Sequence, residues 1–102
     1  MEFDLNKEGS TTIFTFNNPK LEYSVIRSIE KQLIKEFENC DKIVFNMKST
    51  EFITSAFIRL CLEVIQRVGT ENFEIINVNS FVQTVLKISK LDNFIKVSAS
   101  KL

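Results

Sequence analysis

The first residues of the chain alternate between apolar and polar side chains, as strands with one buried face do. Residues 2–7 (EFDLNK) show this period of two, and residues 11–16 (TTIFTF) are rich in β-branched and aromatic side chains. Glu8, Gly9 and Ser10 between them form a typical turn sequence. The pattern therefore predicts an N-terminal β-hairpin.

Residues 17–20 (NNPK) interrupt this pattern, and apolar residues then recur at helical spacing. The spacing predicts a first helix that ends near Asn39, with Ser24 as its N-cap. Residues 42–47 (KIVFNM) are short and dense in apolar side chains, which predicts a central strand covered on both faces.

A second helix is predicted over residues 54–68. Its apolar side chains follow the i, i+3, i+4, i+7 spacing of one buried face, at Phe57, Leu60, Cys61, Val64, Ile65 and Val68. Ile58 and Leu62 are apolar as well, so the polar face is narrow. Such a wide apolar arc has two explanations: the helix is buried on more than one side, or it offers one side to a partner.

Three more elements complete the pattern. Residues 72–78 (NFEIINV) predict a strand, and residues 81–89 predict a third helix that Ser80 can cap. A last short element is expected at residues 91–97, followed by a frayed tail at residues 98–102.

The elements follow the order β-β-α-β-α-β-α with a terminal piece. Strands connected through helices are typically parallel, so the third and fourth predicted strands are expected to be parallel neighbours. We expect one domain over residues 1–102, of the α/β class, with a mixed sheet of about four or five strands covered by about four helices.

Composition and charge narrow the classes of function. Thirteen basic and thirteen acidic residues leave no net charge, so no broad positive field favours a nucleic acid as partner. No apolar run approaches the roughly twenty residues that span a bilayer, and the N-terminal sequence MEFDLNKEGS is too polar for a secretory signal. These features predict a cytoplasmic protein without a membrane span.

The chemistry available to the side chains is also restricted. The chain has two cysteines, no CxxC motif and no histidine. It therefore lacks a Ser-His-Asp triad, a histidine general base and the ligands of an ordinary zinc site. A reduced compartment and a function without a metal are expected.

One segment carries a family signal, at residues 43–69. Its apolar strand ends at Asn46, a polar loop leads to an apolar pair at residues 52–53, and a helix opens on residues 54–57 (TSAF). This order resembles the STAS domain family, and within it the bacterial anti-sigma factor antagonists, whose helix opens on Ser-Ser-Gly-Leu or Ser-Ala-Gly-Leu. Further similar segments are residues 20–22 (KLE), 79–82 (NSFV), 85–86 (VL) and 91–92 (LD).

The resemblance implies regulation by partner switching and no catalysis. An antagonist of this type binds a serine kinase that is also the anti-sigma factor, is phosphorylated by it, and is restored by a PP2C-type phosphatase. The resemblance implies no cofactor for the chain itself, because ATP and magnesium belong to the kinase. The expected state is a monomer or a weak dimer.

The helix opening departs from the family at two positions. Ala56 stands where many antagonists carry their phosphorylated Ser, so Ser55 is the candidate phosphoacceptor and Thr54 the second choice. Phe57 stands where the family has Gly, and is either an anchor for a partner or an obstacle to a kinase. Glu22 replaces a family Asp and keeps its charge. The predicted docking face consists of Glu22, Thr54, Phe57, Ile58 and Arg59.

Plainer interpretations stay open for these residues. Ser55 is alternatively a simple N-cap, and Arg59 pairs either with a phosphate or with Glu63 one turn later. The whole protein is alternatively a constitutive STAS-like scaffold subunit that is never phosphorylated. A small enzyme with Thr54 or Ser55 as nucleophile is a third class, and it would need a deep pocket that converges on these hydroxyls.

Overall fold

Strands and helices alternate along the chain and assemble into one main sheet with helices packed on it. The structure, a computed structural model, describes residues 2–100. Its elements in chain order are β1 (Phe3–Glu8), β2 (Thr11–Phe16), β3 (Lys20–Leu21), α1 (Tyr23–Phe37), β4 (Lys42–Asn46), β5 (Phe52–Ile53), α2 (Ser55–Val68), β6 (Phe73–Val78), α3 (Ser80–Ile88) and β7 (Lys96–Ala99).

The main sheet has the order β1-β2-β4-β6-β7, and β3 and β5 form a separate two-stranded sheet. The pair β1 and β2 is antiparallel, which confirms the predicted hairpin. All other neighbours in the main sheet are parallel, including β4 and β6 as predicted. The fold is therefore α/β with a mixed five-stranded sheet.

The prediction of about four helices is slightly too high, because the described residues form three α-helices. Thr70–Asn72 and Leu91–Asn93 each form only a short 3-10 turn. The chain end then adds β7 to the free edge of β6. The expected fraying is therefore wrong for residues 98–99, which lie in this strand, while residues 101–102 lie outside the described part of the chain.

Two helix starts also differ from the sequence prediction. Helix α1 begins one residue before Ser24, with Glu22 at the N-cap position. Helix α3 is capped by Asn79 rather than Ser80, because the Asn79 side chain accepts a hydrogen bond from the Val82 amide at 2.8 Å. An Asn side chain satisfies the first free amides of a helix at least as well as Ser.

Aromatic packing holds the sheet against the helices. The Phe45 ring on β4 lies at the centre, with ring centroids 4.9 to 6.1 Å from those of its five aromatic neighbours, Phe14, Phe16, Phe37, Phe57 and Phe73. Tilted and edge-on rings at such distances add to the stabilisation from burial. Because Phe37 comes from α1 and Phe57 from α2, this cluster fixes both helices on the same face of the sheet.

The opposite face of the sheet has no such cover. Val44 points away from the Phe45 side, and its register partners on the neighbouring strands are Ile13 and Glu74, both half-exposed. The buried residues of α3, Val82 and Leu86, join the same core as those of α1 and α2. Val44 is nevertheless buried, as are Ile43 and Phe45, so the prediction that β4 is covered on both faces is confirmed, although all three helices contribute to the core on the Phe45 side.

The central position of Phe45 leads to a stability prediction. Replacing Phe45 by Ala is expected to lower the free energy of unfolding by about 3–5 kcal/mol, because it removes a buried ring and leaves a cavity. Phe94→Ala is the matched control, since Phe94 is 65% exposed, and should stay within about 0.5 kcal/mol of the parent. Urea unfolding measures both, and equal losses would contradict the central role of Phe45.

Candidate functional site

Ser55 is the first residue of α2 and lies at the surface. The N-cap position belongs to Thr54, whose carbonyl oxygen accepts hydrogen bonds from the amides of Phe57 and Ile58 at 3.0 and 3.2 Å. The interpretation of Ser55 as a plain N-cap is therefore wrong. The Ser55 side chain is exposed, and within residues 2–100 its hydroxyl has no hydrogen-bond partner.

The neighbouring hydroxyl of Thr54 is engaged inside the protein. It donates to the carbonyl oxygen of Leu21 at 2.8 Å, and the side chain is half-buried. Thr54 therefore uses its hydroxyl to connect the start of α2 to the segment that precedes α1. This contact distinguishes the two candidate hydroxyls, because the Thr54 hydroxyl is hydrogen-bonded within residues 2–100 and the Ser55 hydroxyl is not.

The small sheet of β3 and β5 brings the starts of α1 and α2 together. Leu21 is the register partner of Ile53, and the amides of Glu51 and Phe52 both donate to the Pro19 carbonyl oxygen at 2.7 and 2.9 Å. Glu22 follows Leu21 directly, at the start of α1, and is exposed. The two strands therefore place the Glu22 carboxylate on the same side of the molecule as the first turn of α2.

Asparagine side chains fix the β4–β5 loop from the other side. Asn46 accepts hydrogen bonds from the Lys48 amide at 3.1 Å and from the Asn77 side chain at 3.0 Å. Asn79 donates to the Glu51 carbonyl oxygen at 3.1 Å. Asn77 has a φ of 59°, a left-handed conformation that Asn tolerates better than most residues. The loop that leads to Ser55 is thus held by both neighbouring segments.

Phe57 does not belong to the exposed surface. Its side chain is fully buried, and its ring packs against those of Phe16 and Phe45 at 5.8 Å in both cases. The prediction that Phe57 contacts a partner is therefore wrong. The ring also does not cover Ser55, since it points into the core, so the replacement of the family Gly leaves the approach to this hydroxyl open.

An apolar groove of about 540 Å³ lies beside Ser55, between α2 and α3. Ser55 lies at its lining, and the other lining residues of the two helices are Ile58, Arg59 and Leu62 of α2 and Val85 and Ile88 of α3. Ile58 is half-buried against the core, whereas Leu62 is 50% and Ile88 76% exposed. The wide apolar arc of α2 thus has both predicted causes, because part of it is buried and part forms an open groove wall. We refer to these five residues as the α2–α3 groove.

The charges of α2 are arranged differently from the prediction. Glu63 forms an ion pair with Arg67, with 3.7 Å between Oε1 and Nη2. The predicted alternative pair of Arg59 and Glu63 does not form. Arg59 is exposed and makes no ion pair or hydrogen bond within the described range of the chain. Its guanidinium group is therefore free at the edge of the groove.

Exposed aromatic side chains connect β5 to α3 next to this surface. The rings of Phe52 and Phe81 meet edge-on at 5.1 Å, and the Lys20 ammonium lies 5.7 Å from the centre of the Phe52 ring. Both phenylalanines are more than 40% exposed. The surface around Ser55 therefore carries apolar side chains on β5 as well as on the two helices.

The buried thiol of α2 has a structural place. Burial raises the pKa of the Cys61 thiol well above its ordinary value, so this group stays protonated at neutral pH. This agrees with the prediction that Cys61 belongs to the core.

Among residues 2–100, no three His, Cys, Asp or Glu side chains converge into a site for a metal ion. None of the helices described is long and apolar enough to cross a membrane.

Comparison with protein-family models identifies the family of this chain. The family model of the STAS domain matches residues 2–101. The protein therefore belongs to the STAS domain family, as the helix opening at Ser55 predicted. No curated protein sequence matches the chain significantly.

Solved structures share the fold at low sequence identity. An anti-sigma factor antagonist (STAS) domain protein from Planctomyces limnophilus superposes with a TM-score of 0.85 and 18% identity, over 97% of this chain and 90% of that one. A putative anti-sigma factor antagonist from Thermotoga maritima gives 0.84 and 21%, over 97% and 87%. Unphosphorylated SpoIIAA of Bacillus gives 0.79 and 16%, over 97% and 89%, and its phosphorylated form gives 0.71 and 15%, over 97% and 92%.

The hydrogen bond of Thr54 can be tested by an isosteric change. Thr54→Val is expected to lower the free energy of unfolding by about 1–2 kcal/mol, since it leaves the Leu21 carbonyl oxygen without its donor. Thr84→Val is the control, because the exposed Thr84 hydroxyl donates only within its own helix. Chemical denaturation measures both variants. If Thr54→Val costs no more than Thr84→Val, the proposed link between the two helix starts does not contribute to stability.

Proposed function

We propose that this STAS domain is an anti-sigma factor antagonist that acts by phosphorylation-dependent partner switching. In this proposal a serine kinase of the anti-sigma factor type binds the surface around Ser55, phosphorylates this residue and then dissociates. A PP2C-type phosphatase restores the hydroxyl. The observation that carries the proposal is the exposed Ser55 hydroxyl, without a hydrogen bond, on the first turn of α2 and beside an apolar groove.

The proposed chemistry takes place at the Ser55 oxygen. The oxygen attacks the γ-phosphorus of ATP, the bond from this phosphorus to the β–γ bridging oxygen breaks, ADP leaves, and the hydroxyl proton passes to the kinase. Water later hydrolyses the ester to Ser55 and inorganic phosphate. The first turn of a helix tolerates a phosphate well, because the free backbone amides and the helix dipole favour negative charge there. The modified protein is therefore expected to stay folded.

Two features support Ser55 over Thr54 as the acceptor. The Thr54 hydroxyl donates to Leu21, and phosphorylation would remove this internal hydrogen bond. The buried ring of Phe57 leaves the space in front of Ser55 open to a kinase. SpoIIAA, which shares the fold, exists in an unphosphorylated and a phosphorylated form, and this likeness adds weight to a modified state of the present chain.

The α2–α3 groove is the proposed docking surface for the kinase. It adjoins Ser55, so a kinase that reaches this hydroxyl has to contact the groove wall. Exposed apolar side chains such as Leu62 and Ile88 provide the surface area for binding, Arg59 provides a charge at the groove, and Glu22 provides a charge at the start of α1. The proposed docking face therefore consists of Glu22, Thr54, Ile58 and Arg59, with Leu62 and Ile88 in place of the buried Phe57.

Phosphorylation at Ser55 can be measured directly on the protein from its native cells. Trypsin should release residues 49–59 as one peptide, because Lys48 and Arg59 flank the site. We expect mass spectrometry to find phosphate on Ser55 and to find none after phosphatase treatment. Ser55→Ala should abolish the modification. Ser49→Ala, which changes an exposed serine of the same peptide, should leave it intact.

The result also decides between the proposed function and its alternative. A peptide without phosphate under several growth conditions would contradict partner switching and favour a constitutive scaffold subunit. Phosphate on Thr54 instead of Ser55 would contradict the assignment of the acceptor. In either case the fold and the family would remain as described.

The docking surface leads to a binding prediction. Ile88→Asp is expected to weaken binding of the purified cognate kinase by about tenfold or more, because it places a charge in the apolar groove. Ile88 is 76% exposed, so the variant should fold normally. Phe94→Asp is the control, since Phe94 is 65% exposed but does not line the groove. Calorimetric titration of both variants tests the surface, and an equal loss of affinity would move the docking site elsewhere.

A further inference from the structure

The polar side chains on the exposed face of α2 follow one another at every fourth residue. Arg59, Glu63 and Arg67 occupy three successive positions, and Ser55 occupies the position before Arg59. Residues four apart in an α-helix are neighbours on its surface. Charges of alternating sign therefore run along the helix, and only the first position, Ser55, lacks a charge.

Within residues 2–100 the existing ion pair leaves Arg59 without an ion pair of its own, although Glu30 of α1 lies on the same part of the surface. Glu63 binds Arg67, and this orientation, with the acidic residue N-terminal, is the favoured one for helical pairs four residues apart. A pair of Arg59 with Glu63 would have the less favourable orientation and would compete with Arg67. An anion at position 55 would have the favoured orientation relative to Arg59.

We propose that the phosphate on Ser55 forms an intrahelical ion pair with Arg59 and so removes this cation from the docking surface. The inference rests on the proposed phosphorylation of Ser55, and it adds how the phosphate changes the charge of the docking surface. Ser55 and Arg59 both line the mouth of the same groove, and both are exposed. The β-carbons of residues four apart lie about 5–6 Å from each other, a span that a phosphoserine and an arginine bridge easily.

The chemistry of the two groups is complementary. A phosphoserine carries about −1.5 to −2 charges at neutral pH and three acceptor oxygens. The planar guanidinium group donates two parallel hydrogen bonds to such oxygens, which a lysine would not do. The free amides of the first turn lie beside the same oxygens, so the phosphate is held from two directions.

The pair would change the charge at the groove mouth. Before modification, Ser55 and Arg59 together carry one positive charge that is free to attract a carboxylate of a partner. After modification, they carry a net charge of about −0.5 to −1, and the arginine is occupied. A partner selected by the free Arg59 would therefore meet repulsion and lose its ion pair at the same time.

The test uses the full chain with phosphoserine placed at position 55 during translation, so no kinase is needed. Phosphorus NMR follows the second ionisation of the phosphate, whose ordinary pKa is about 6. Because Arg59 favours the dianion, it should lower this pKa. We expect Arg59→Gln to raise it by about 0.3 unit or more and added salt to reduce the difference. Arg67→Gln should leave the pKa unchanged.

The titration decides the inference whichever way it turns out. An Arg59→Gln variant whose phosphate titrates as in the parent would overturn the ion pair, and so would equal shifts in the two variants. Arg59→Lys keeps the positive charge but cannot donate two parallel hydrogen bonds to the phosphate, so it should give an intermediate phosphate pKa. The NMR signal of the Arg59 side-chain Nε–H, which should shift on phosphorylation, gives a second measurement on the unsubstituted chain.

Failure of this inference differs from failure of the proposed function. A normal phosphate pKa would remove the role of Arg59 but leave Ser55 as a site of modification in cells. A native protein without phosphate would remove partner switching, whatever the pKa of phosphoserine placed at position 55. The two experiments therefore test separate statements.

Discussion

The burial of Phe57 in the aromatic cluster determines how α2 presents its surface. With this ring packed against Phe16 and Phe45, the helix cannot rotate about its axis without opening the core. Leu60, Cys61 and Val64 then face inward with it. Ser55 and Arg59 fall on the opposite side because of the helical period. A single buried side chain thus orients the residues that we assign to regulation.

A second constraint fixes the start of the helix along the chain. The hydrogen bond from Thr54 to Leu21, the pairing of β3 with β5 and the contact of Asn79 with Glu51 hold the preceding loop from both sides. These hydrogen bonds restrain the backbone of the loop. A phosphate on Ser55 would therefore act through charge and side-chain contacts, rather than through a change of fold.

Much of the fold was predictable from the sequence, since the three helices and the strands β1, β2, β4 and β6 have clear patterns. Strand β7 was expected only as part of a short element with a frayed end. Strands β3 and β5 were missed because two-residue strands have no period, and their pairing depends on the backbone around Pro19. Phe57 shows a different limit. Its spacing from Leu60, Cys61 and Val64 correctly indicated burial, but the family resemblance, which places Gly there, led to a surface role.

The groove could not be predicted from the sequence of α2 alone. Its second wall comes from α3, where Ile88 lies outside the inward-facing stripe of Val82 and Leu86 and therefore projects into solvent. Such an apolar residue off the buried face is the only signal in the sequence, and its meaning depends on which helix lies opposite. Only the folded chain shows that Ile88 faces Leu62 across a common groove.

The two parts of this surface differ in what can change them. In the proposed function the apolar walls would keep the same area whether or not Ser55 is modified, so their contribution to binding would be constant. The charge at the groove depends on whether the Ser55 hydroxyl is modified. A coupling free energy of about 1–3 kcal/mol between such a modification and the binding of a partner changes the affinity about 5- to 150-fold. In the proposed function, separation of a constant apolar contribution from a variable electrostatic one would let a domain of 102 residues bind a partner firmly and still release it. Such a division requires that Ser55 lie at the groove itself, and the orientation of α2 by Phe57 provides this arrangement.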